Sequence, residues 1–507
     1  MKLKDLIRGI EVQAFKGEPE IEVYRICYDS RKARKGDLFV CISGSKNDGH
    51  NYIQQARDRG VVAFLVSREV SVEAKEAVVV VSEPRLVMGK LASRLAGEPS
   101  ERMEVIGITG TNGKTTVSYL IESISKAEGK ECGVIGTINY RWKGNQVIAS
   151  NTTPESVEII ELLKQMANSG VKRVAMEVSS HALDQKRVSG IRFRAGIFTN
   201  LSWEHMDYHK DMEDYFQAKT KLFSEVLAGK WLSGGMDFEP ISVINLDDEY
   251  GRRLFEKAVG RKISYAINNP KAHYQAKIIE ASWEGLKLRV HSPKGEFQVE
   301  SALLGKINAY NILSASSLLL ELGATPEKVM EGVARLKQVP GRMERIENDK
   351  GFLVLVDYAH TPDALENALG IVQELKKNRL ILVFGCGGDR DRAKRPRMGE
   401  IGAREADLVI ITSDNPRSEE PIKIIEEIEE GVKKVGIKKF SRILGKEKGY
   451  LIEPNRSKAI GLALESGEKG DCVLIAGKGH EDYQIIGSEK IHFDDREQVR
   501  NWFKGRE

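Results

Sequence analysis

EVIGITGTNGKTTVSYLIESISKAEGKECGVIG, residues 104–136, decides the fold. EVIGIT (104–109) is an apolar run of strand length, TTVSYLIESISKAEG carries apolar residues at helical spacing, and ECGVIG (131–136) is a second strand. The segment therefore predicts a βαβ start to a parallel sheet. Between strand and helix stand Gly107-Ile108-Thr109-Gly110-Thr111-Asn112-Gly113-Lys114-Thr115-Thr116. Glycines at a strand-to-helix turn let backbone N–H groups wrap phosphate oxygens. In that reading Gly110, Thr111, Asn112, Gly113 and Thr116 line the phosphates and Lys114 reaches the β- and γ-phosphates. The Thr115 hydroxyl binds the magnesium ion that bridges them. Position 108 is isoleucine and the glycines fall at 107, 110 and 113, a departure from the strict G-x-x-x-x-G-K-[ST] pattern that marks a subclass. A glycine-rich turn with no ligand satisfies the same glycines; GKTT at a helix start is what favours a nucleotide. Alone, the loop leaves open a kinase, a GTPase or a ligase.

Towards the N-terminus, VAFLV (62–66) and VVVV (78–81) alternate with helical stretches and predict a small α/β unit, while LAGEPSERM (95–103) has the composition of a linker. Beyond the loop, RVAMEVSS and VINL are further buried strands. From GRMERI (341–346) a new series begins, with FLVLVDY, RLILVFG, DLVIITS and DCVLIAG separated by helical segments such as EEPIKIIEEIEEGVKKVG. The expected fold class is α/β in three domains. They are a small N-terminal α/β domain (1–98), a central P-loop ATP-binding domain with a mostly parallel sheet (99–337), and a C-terminal Rossmann-like α/β domain (338–507). The length of 507 residues fits roughly three domains, and no internal repeat or low-complexity tract competes with that division.

Composition mostly excludes. Lys plus Arg number 78 against 74 Asp plus Glu, and no basic block stands out, so nucleic acid is not an expected partner. The five cysteines are far apart and form no Cys-x-x-Cys pair, which argues against a disulfide framework or a zinc site and fits a reducing compartment. MKLKDLIRGIEVQAF at the start has no apolar core of signal-peptide length, and AVVVV (77–81) is too short to span a bilayer. A cytoplasmic protein without membrane insertion is expected.

Several polar groups follow apolar strands, where ligands of open α/β sheets bind. Glu177 ends RVAMEVSS and is a candidate magnesium ligand, although a solvated loop glutamate reads the same way. TNLSWEHMDYHKDMEDYFQAKTKLF (199–223) gathers His205, Asp207, His209 and Lys219 in a chain with only nine histidines. Asn151-Thr152-Thr153-Pro154 offers hydroxyl and amide donors, as do Ser179, Gln185 and Arg187; capping and turn chemistry would explain them equally. In the last series DYAHTP (357), GCGGDRDRAKR (385), SDNPR (413) and GKGHEDY (477) each follow a strand and predict one facing site. Arg390 and Arg417 suit carboxylates, and Asp414, Asn415 and Glu481 suit ammonium groups, as an amino acid with two zwitterionic ends requires, although on composition an Asp-Asn-Pro-Arg tetrapeptide is more commonly just a turn.

GITGTNGKTT, EVSSHALDQKRV, TNLSWEHMDYH, YFQAKTKLF, GRME and VDYAHTPDAL, in that order and over nearly the whole chain, resemble the Mur ligases, which add amino acids to the UDP-linked muramyl peptide. The resemblance implies that Lys219 is carbamylated and, with Thr115, Glu177 and His205, helps hold two magnesium ions. It places Lys114, Lys219, Glu177 and His205 in the catalytic set, and Asn308, Asn311, Arg342 and His360 beside the nucleotide. Ser30 matches a uridine-site serine, and Asn151, Thr152, Thr153, Ser179, Gln185 and Arg187 match contacts to the muramyl dipeptide. Asp414-Asn415-Pro416-Arg417, with Arg390, Gly477 and Glu481, resembles the diaminopimelate-adding branch. The implied activity is ATP-dependent addition of meso-diaminopimelate to the D-glutamyl γ-carboxylate of UDP-MurNAc-L-Ala-D-Glu in peptidoglycan precursor synthesis, by a monomer. A lysine-adding Mur ligase or a folylpolyglutamate-type ligase is the alternative within ligases, and a regulatory nucleotide-binding module the alternative outside them.

Overall fold

The short strands DLFV, AFLV and AVVV, buried along their whole length, form the centre of the first sheet. The computed structural model describes residues 1–44, 47–232, 237–442 and 445–505. They form two units: Met1–Leu201 with Asp211–Gln275 and Leu313–Gly332, and Ser202–Lys210 with Ala276–Ile312 and Val333–Glu507.

In the first unit β1 (Ala14–Gly17), β2 (Arg25–Cys27), β3 (Asp37–Val40), β4 (Ala63–Val66) and β5 (Ala77–Val80) assemble in the order β1-β5-β4-β3-β2. All neighbours are parallel except β1 with β5. This is the α/β unit expected before residue 100. The expected linker at 95–103 is instead packed structure. Helix Pro84–Leu95 runs into it, and Pro99–Arg102 forms a helical turn whose Ser100 is buried. Ser100 Oγ accepts from Arg192 N at 3.1 Å and Arg102 donates to Asn168 Oδ1 at 3.1 Å. These bonds give a loop-like composition enough partners to be fixed in place.

The segment 104–136 folds as its spacing predicts, into β6 (Glu104–Thr109), helix Lys114–Ala127 and β7 (Cys132–Ile135). A hairpin, β8 (Asn139–Trp142) and β9 (Asn145–Ile148), follows antiparallel to β7. Then come β10 (Arg173–Glu177), β11 (Phe193–Phe198), β12 (Ile241–Asn245) and β13 (Arg261–Ala266), in the spatial order β13-β12-β11-β6-β10-β7-β8-β9. The neighbours from β13 to β7 are all parallel. β14 (Tyr274–Ser282) joins β13 at Tyr265↔Tyr274. With β6 between β10 and β11, the carboxyl ends of β7, β10, β6 and β11 lie side by side, the place where an open parallel sheet binds its ligand.

The second unit holds the antiparallel pair β15 (Gly285–Ser292) and β16 (Gly295–Ser301). It also holds a sheet of β17 (Glu344–Ile346), β18 (Leu353–Asp357), β19 (Leu380–Phe384), β20 (Leu408–Ile411), β21 (Lys438–Lys439), β22 (Gly449–Ile452) and β23 (Cys472–Ala476), ordered β17-β18-β23-β19-β20-β22-β21. The side chains alternate between two cores. Leu355, Leu382, Phe384, Ile411 and Leu474 pack with helices Pro362–Leu375, Lys394–Glu405 and Pro421–Val435. Val354, Val356, Ile381, Val383, Ile410 and Ile475 pack with helices Arg456–Ser466 and Asp495–Lys504. Period-two alternation buried on both faces explains why these strands read as continuous apolar runs. A short hairpin, β24 (Tyr483–Ile486) and β25 (Glu489–His492), lies beyond β23 in sequence. The five cysteines are free and buried, and among the described residues no helix is long and apolar enough to cross a membrane.

Candidate active site

The loop after β6 is fixed from the neighbouring strand. Thr111 N donates to Asn200 O at 2.8 Å and Asn112 N to Asn200 Oδ1 at 2.9 Å, while Thr199 Oγ1 donates to Asn112 O at 2.6 Å. Gly110 has φ 144°, and a Cβ there would lie 1.9 Å from Thr199 Oγ1. Gly110→Ala is expected to cost about 2 kcal/mol or more of stability and to abolish ADP binding, checked by thermal unfolding and titration calorimetry. Lys114 Nζ donates to Gly110 O and Thr111 O, both at 2.8 Å, so contact with phosphates exchanges these carbonyls for phosphate oxygens. Lys219, 1 % exposed, donates to Gly110 O at 2.9 Å and stands over the Tyr215 ring, whose hydroxyl is 3.2 Å from Thr111 Oγ1.

Glu177 ends β10 fully buried and joins the loop to the residues matched to the muramyl peptide. Its Oε2 accepts from Thr115 Oγ1 and Thr137 Oγ1, each at 3.0 Å, and its Oε1 accepts from Thr137 N at 3.0 Å. Thr137 Oγ1 lies 3.0 Å from Thr152 Oγ1. Thr153 Oγ1 donates to the Glu177 carbonyl at 2.9 Å and accepts from Ser179 N at 3.0 Å. Arg187 donates to Thr153 O at 3.1 Å and to Gln185 Oε1 at 2.7 Å. Asn151 takes part through its backbone, its carbonyl accepting from Tyr140 OH at 2.6 Å. Ser30 bonds elsewhere, to Gln55 Oε1 at 2.6 Å.

The second unit brings its own set together at the carboxyl ends of β18, β23, β19 and β20. Asn415 Nδ2 donates to Glu481 Oε2 at 2.9 Å, and a Cβ on Gly477 (φ 116°) would lie 2.9 Å from Asp414 Oδ2. Arg417 donates to Gly388 O at 2.7 Å, and Pro416 is buried with its carbonyl where a Cβ on Gly388 would fall. Arg390 is exposed and donates to Asp389 O at 3.1 Å. Asn308 and Asn311 are buried on helix Lys306–Glu321, Asn311 Nδ2 donating to Asn308 Oδ1 at 2.8 Å. The Arg342 guanidinium lies 4.9 Å from the centre of the Tyr358 ring, and the His360 ring 4.6 Å from it. His205 has φ 61° and its Nε2 lies 3.8 Å from Glu204 Oε2; it belongs to the second unit, whereas Thr115, Glu177 and Lys219 belong to the first. Among the described residues no group of three or more His, Cys, Asp and Glu is placed to hold a metal ion, and the Thr115 hydroxyl donates to Glu177 Oε2.

Three family descriptions match successive parts of the chain: "Mur ligase family, catalytic domain" at residues 22–95, "Mur ligase middle domain" at 108–319 and "Mur ligase, glutamate ligase domain" at 341–479. UDP-N-acetylmuramoyl-L-alanyl-D-glutamate–2,6-diaminopimelate ligase of Geobacter metallireducens is 45 % identical over 99 % of this chain and 98 % of its own length. The chain belongs to the Mur ligase family. The Clostridioides difficile protein of the same name is 41 % identical over 98 % of both chains. A solved structure bearing that name is 31 % identical, with a TM-score of 0.72 over 100 % of this chain and 99 % of its own.

Several residues of this Mur ligase escape a reading by motif. Thr137 follows the carboxyl end of β7, so the strand-end rule that finds Glu177 applies to it as well. Arg85, on helix Pro84–Leu95, donates to Gln185 Oε1 at 3.1 Å and to Glu155 Oε1 at 3.2 Å, and nothing in its local sequence announces that. Burial pushes the Glu155 carboxyl up, with Arg85 and Arg187 opposing. Fully buried Arg395 donates to Glu419, holding its carboxyl down at about 2, and Glu419 accepts from Asp389 N, which ties the 385–390 loop to the 414–419 turn. Buried Arg456 pairs with Asp495 at 2.6 Å and donates to Ala476 O, the last residue before Gly477.

His480 stacks 5.0 Å from the Tyr358 ring, and burial, with help from Arg342 and Arg496, lowers its pKa from 6.5 to about 3; Asp494 acts in the other direction. The unfolded chain therefore binds a proton there more readily than the folded one. The stability associated with neutral His480 is complete above pH 6.5 and declines as the pH falls towards about 3, by about 1.4 kcal/mol per pH unit at most. His480→Gln is expected to flatten the fall in denaturant midpoint between about pH 6.5 and pH 5.

Proposed function

We propose that this chain is the ATP-dependent ligase that joins meso-diaminopimelate to the D-glutamyl γ-carboxylate of UDP-MurNAc-L-Ala-D-Glu in peptidoglycan precursor synthesis. The carrying observation is the continuous hydrogen-bonded path from Thr115 through Glu177 and Thr137 to Thr152 and Thr153, which supports reading the loop as the nucleotide site and the threonines as contacts to the peptide. A kinase or GTPase has no need of the second half of that path. The names of the relatives supply the substrates, and DNPR at 414–417 favours diaminopimelate over lysine.

A carboxylate must be activated before an amine attacks it. An oxygen of the γ-carboxylate attacks the γ-phosphorus of ATP, the bond to ADP breaks, and an acyl phosphate forms. The free amine then attacks the acyl carbon, loses a proton, and phosphate leaves as the amide closes. Lys114 and the loop N–H groups stabilise charge on the transferring phosphoryl group, and the path to Thr152, Thr153 and Arg187 holds the acceptor in line. Magnesium fits the oxygens of Thr115 and Glu177 and, when bound, neutralises phosphate charge. Resemblance to the family assigns Lys219, and separately His205, to magnesium. A carbamate on Lys219 Nζ keeps an N–H for Gly110 O while turning a cation into an anion. Asn308, Asn311, Arg342 and His360 serve the nucleotide, and Ser30 the uridine. The domains run 1–98, 99–337 and 338–507.

Carbon-13 spectra of the protein in labelled bicarbonate test the carbamate: a carbamate resonance lost in Lys219→Arg is expected, and its absence from the wild type contradicts that part. Phosphate release tests the reaction. It is expected only when ATP, the UDP-muramyl dipeptide and an amine are all present, and release with ATP alone at the same rate overturns the ligase assignment.

A further inference from the structure

Lys478 is completely buried at the end of β23, one residue after Gly477. A lysine with no exposure has lost the hydration of its ammonium group and must find that interaction in the protein. It finds it among side chains assigned above to the amine. Nζ lies 3.2 Å from Glu481 Oε2, 3.3 Å from Asn415 Oδ1 and 3.6 Å from Asp414 Oδ1, and stands over the Tyr483 ring at 5.5 Å. The Asn415 amide is thereby used at both ends. Its Oδ1 accepts from Lys478 Nζ and from Ile485 N at 3.0 Å, and its Nδ2 donates to the same Glu481 oxygen that Lys478 holds.

We infer that Lys478 is a positioning residue for amine selection, fixing Glu481 and the Asn415 amide so that one carboxylate oxygen of Glu481 is committed to the protein and the other is left for the ligand's ammonium group. The inference rests on reading this pocket as the amine site. Charge supports it. Asp414 and Glu481 bring two negative charges and Lys478 one positive, so these three side chains leave one negative charge in excess. Without Lys478 two carboxylates share a buried space, and the incoming ammonium has to organise them as well as bind them. Among the described residues Asp414 Oδ1 is buried with no hydrogen-bond partner and has the Lys478 ammonium 3.6 Å away, so one lysine faces both carboxylates.

The test is steady-state kinetics on the full chain with Lys478→Met, which keeps most of the length of the side chain and removes the charge. The expected result is a KM for diaminopimelate raised about 100-fold, with the KM values for ATP and the UDP-muramyl dipeptide within about 2-fold of wild type. If Lys478 acts through Glu481, then Lys478→Met added to Glu481→Gln raises the diaminopimelate KM by no more than about 3-fold further. The double variant also removes one of the two buried carboxylates, so the comparison survives if Lys478→Met alone folds poorly. An unchanged diaminopimelate KM, fully additive effects in the two backgrounds, or a parallel rise in all three KM values overturns the inference. Wild-type enzyme that turns over diaminopimelate beside a variant with unchanged KM defeats the inference alone. Wild-type enzyme with no turnover of diaminopimelate defeats the reading of the pocket and the inference with it.

Discussion

Glu177→Gln is expected to lower amine-dependent phosphate release about 10²- to 10³-fold while leaving the fold intact. The side chain is fully enclosed: Thr115 and Thr137 donate three hydrogen bonds to its two oxygens, and a Cβ on Gly136 would lie 2.2 Å from Oε1. Glutamine fills the same volume and its carbonyl oxygen keeps part of those bonds, so the melting temperature should move by less than about 4 °C. What is lost is the negative charge beside Thr115, where the proposed magnesium ion would meet the phosphates. Thr137→Val is the informative comparison, since it keeps the charge and removes the hydroxyl's bonds to Glu177 and Thr152, and a fall of about 10-fold is expected. A glutamine variant with wild-type turnover would remove Glu177 from the reaction.

Arg417→Ala is expected to raise the KM for diaminopimelate by about 10³-fold with little change for the other two substrates, measured by the same phosphate-release assay. Arg417 adopts φ 52°, a left-handed conformation that the turn maintains with Arg417 N donating to Ile485 O and Gly487 N donating to Arg417 O. These main-chain bonds survive truncation of the side chain, so the loss falls on the guanidinium. Arg417→Lys should recover little, because an ammonium cannot offer the planar pair of donors that a carboxylate accepts. Equal KM values for Arg417→Ala and wild type would detach the arginine from amine recognition.

The alternation of strands and helices is legible because each parallel strand is buried on both faces and appears as an uninterrupted apolar run. The antiparallel additions are not: Asn145–Ile148 is exposed along its length, and Gly295–Ser301 buries only Val299 and Ser301, so neither carries an apolar run to find. The stretch 95–103 misleads for a related reason, since Pro, Gly, Ser and Glu in a packed turn have the composition of a free linker until Arg192 and Asn168 are seen to bond it. For the site, the strand-end rule reaches Glu177, Asp414 and Glu481. It reaches the segment of Lys478 but not that residue's burial, which is a property of the folded cluster, and it cannot reach Arg85, whose connection to Gln185 spans a hundred positions. Long-range pairings of this kind leave no local trace in sequence.

The ligase assignment is tested most directly by offering the enzyme ATP, the UDP-muramyl dipeptide and an equimolar mixture of meso-diaminopimelate and L-lysine, and weighing the nucleotide-linked product by mass spectrometry. A product heavier by one diaminopimelate residue, with the lysine adduct absent or a minor fraction, is the predicted result. A predominant lysine adduct, or no adduct with either amine, would contradict it.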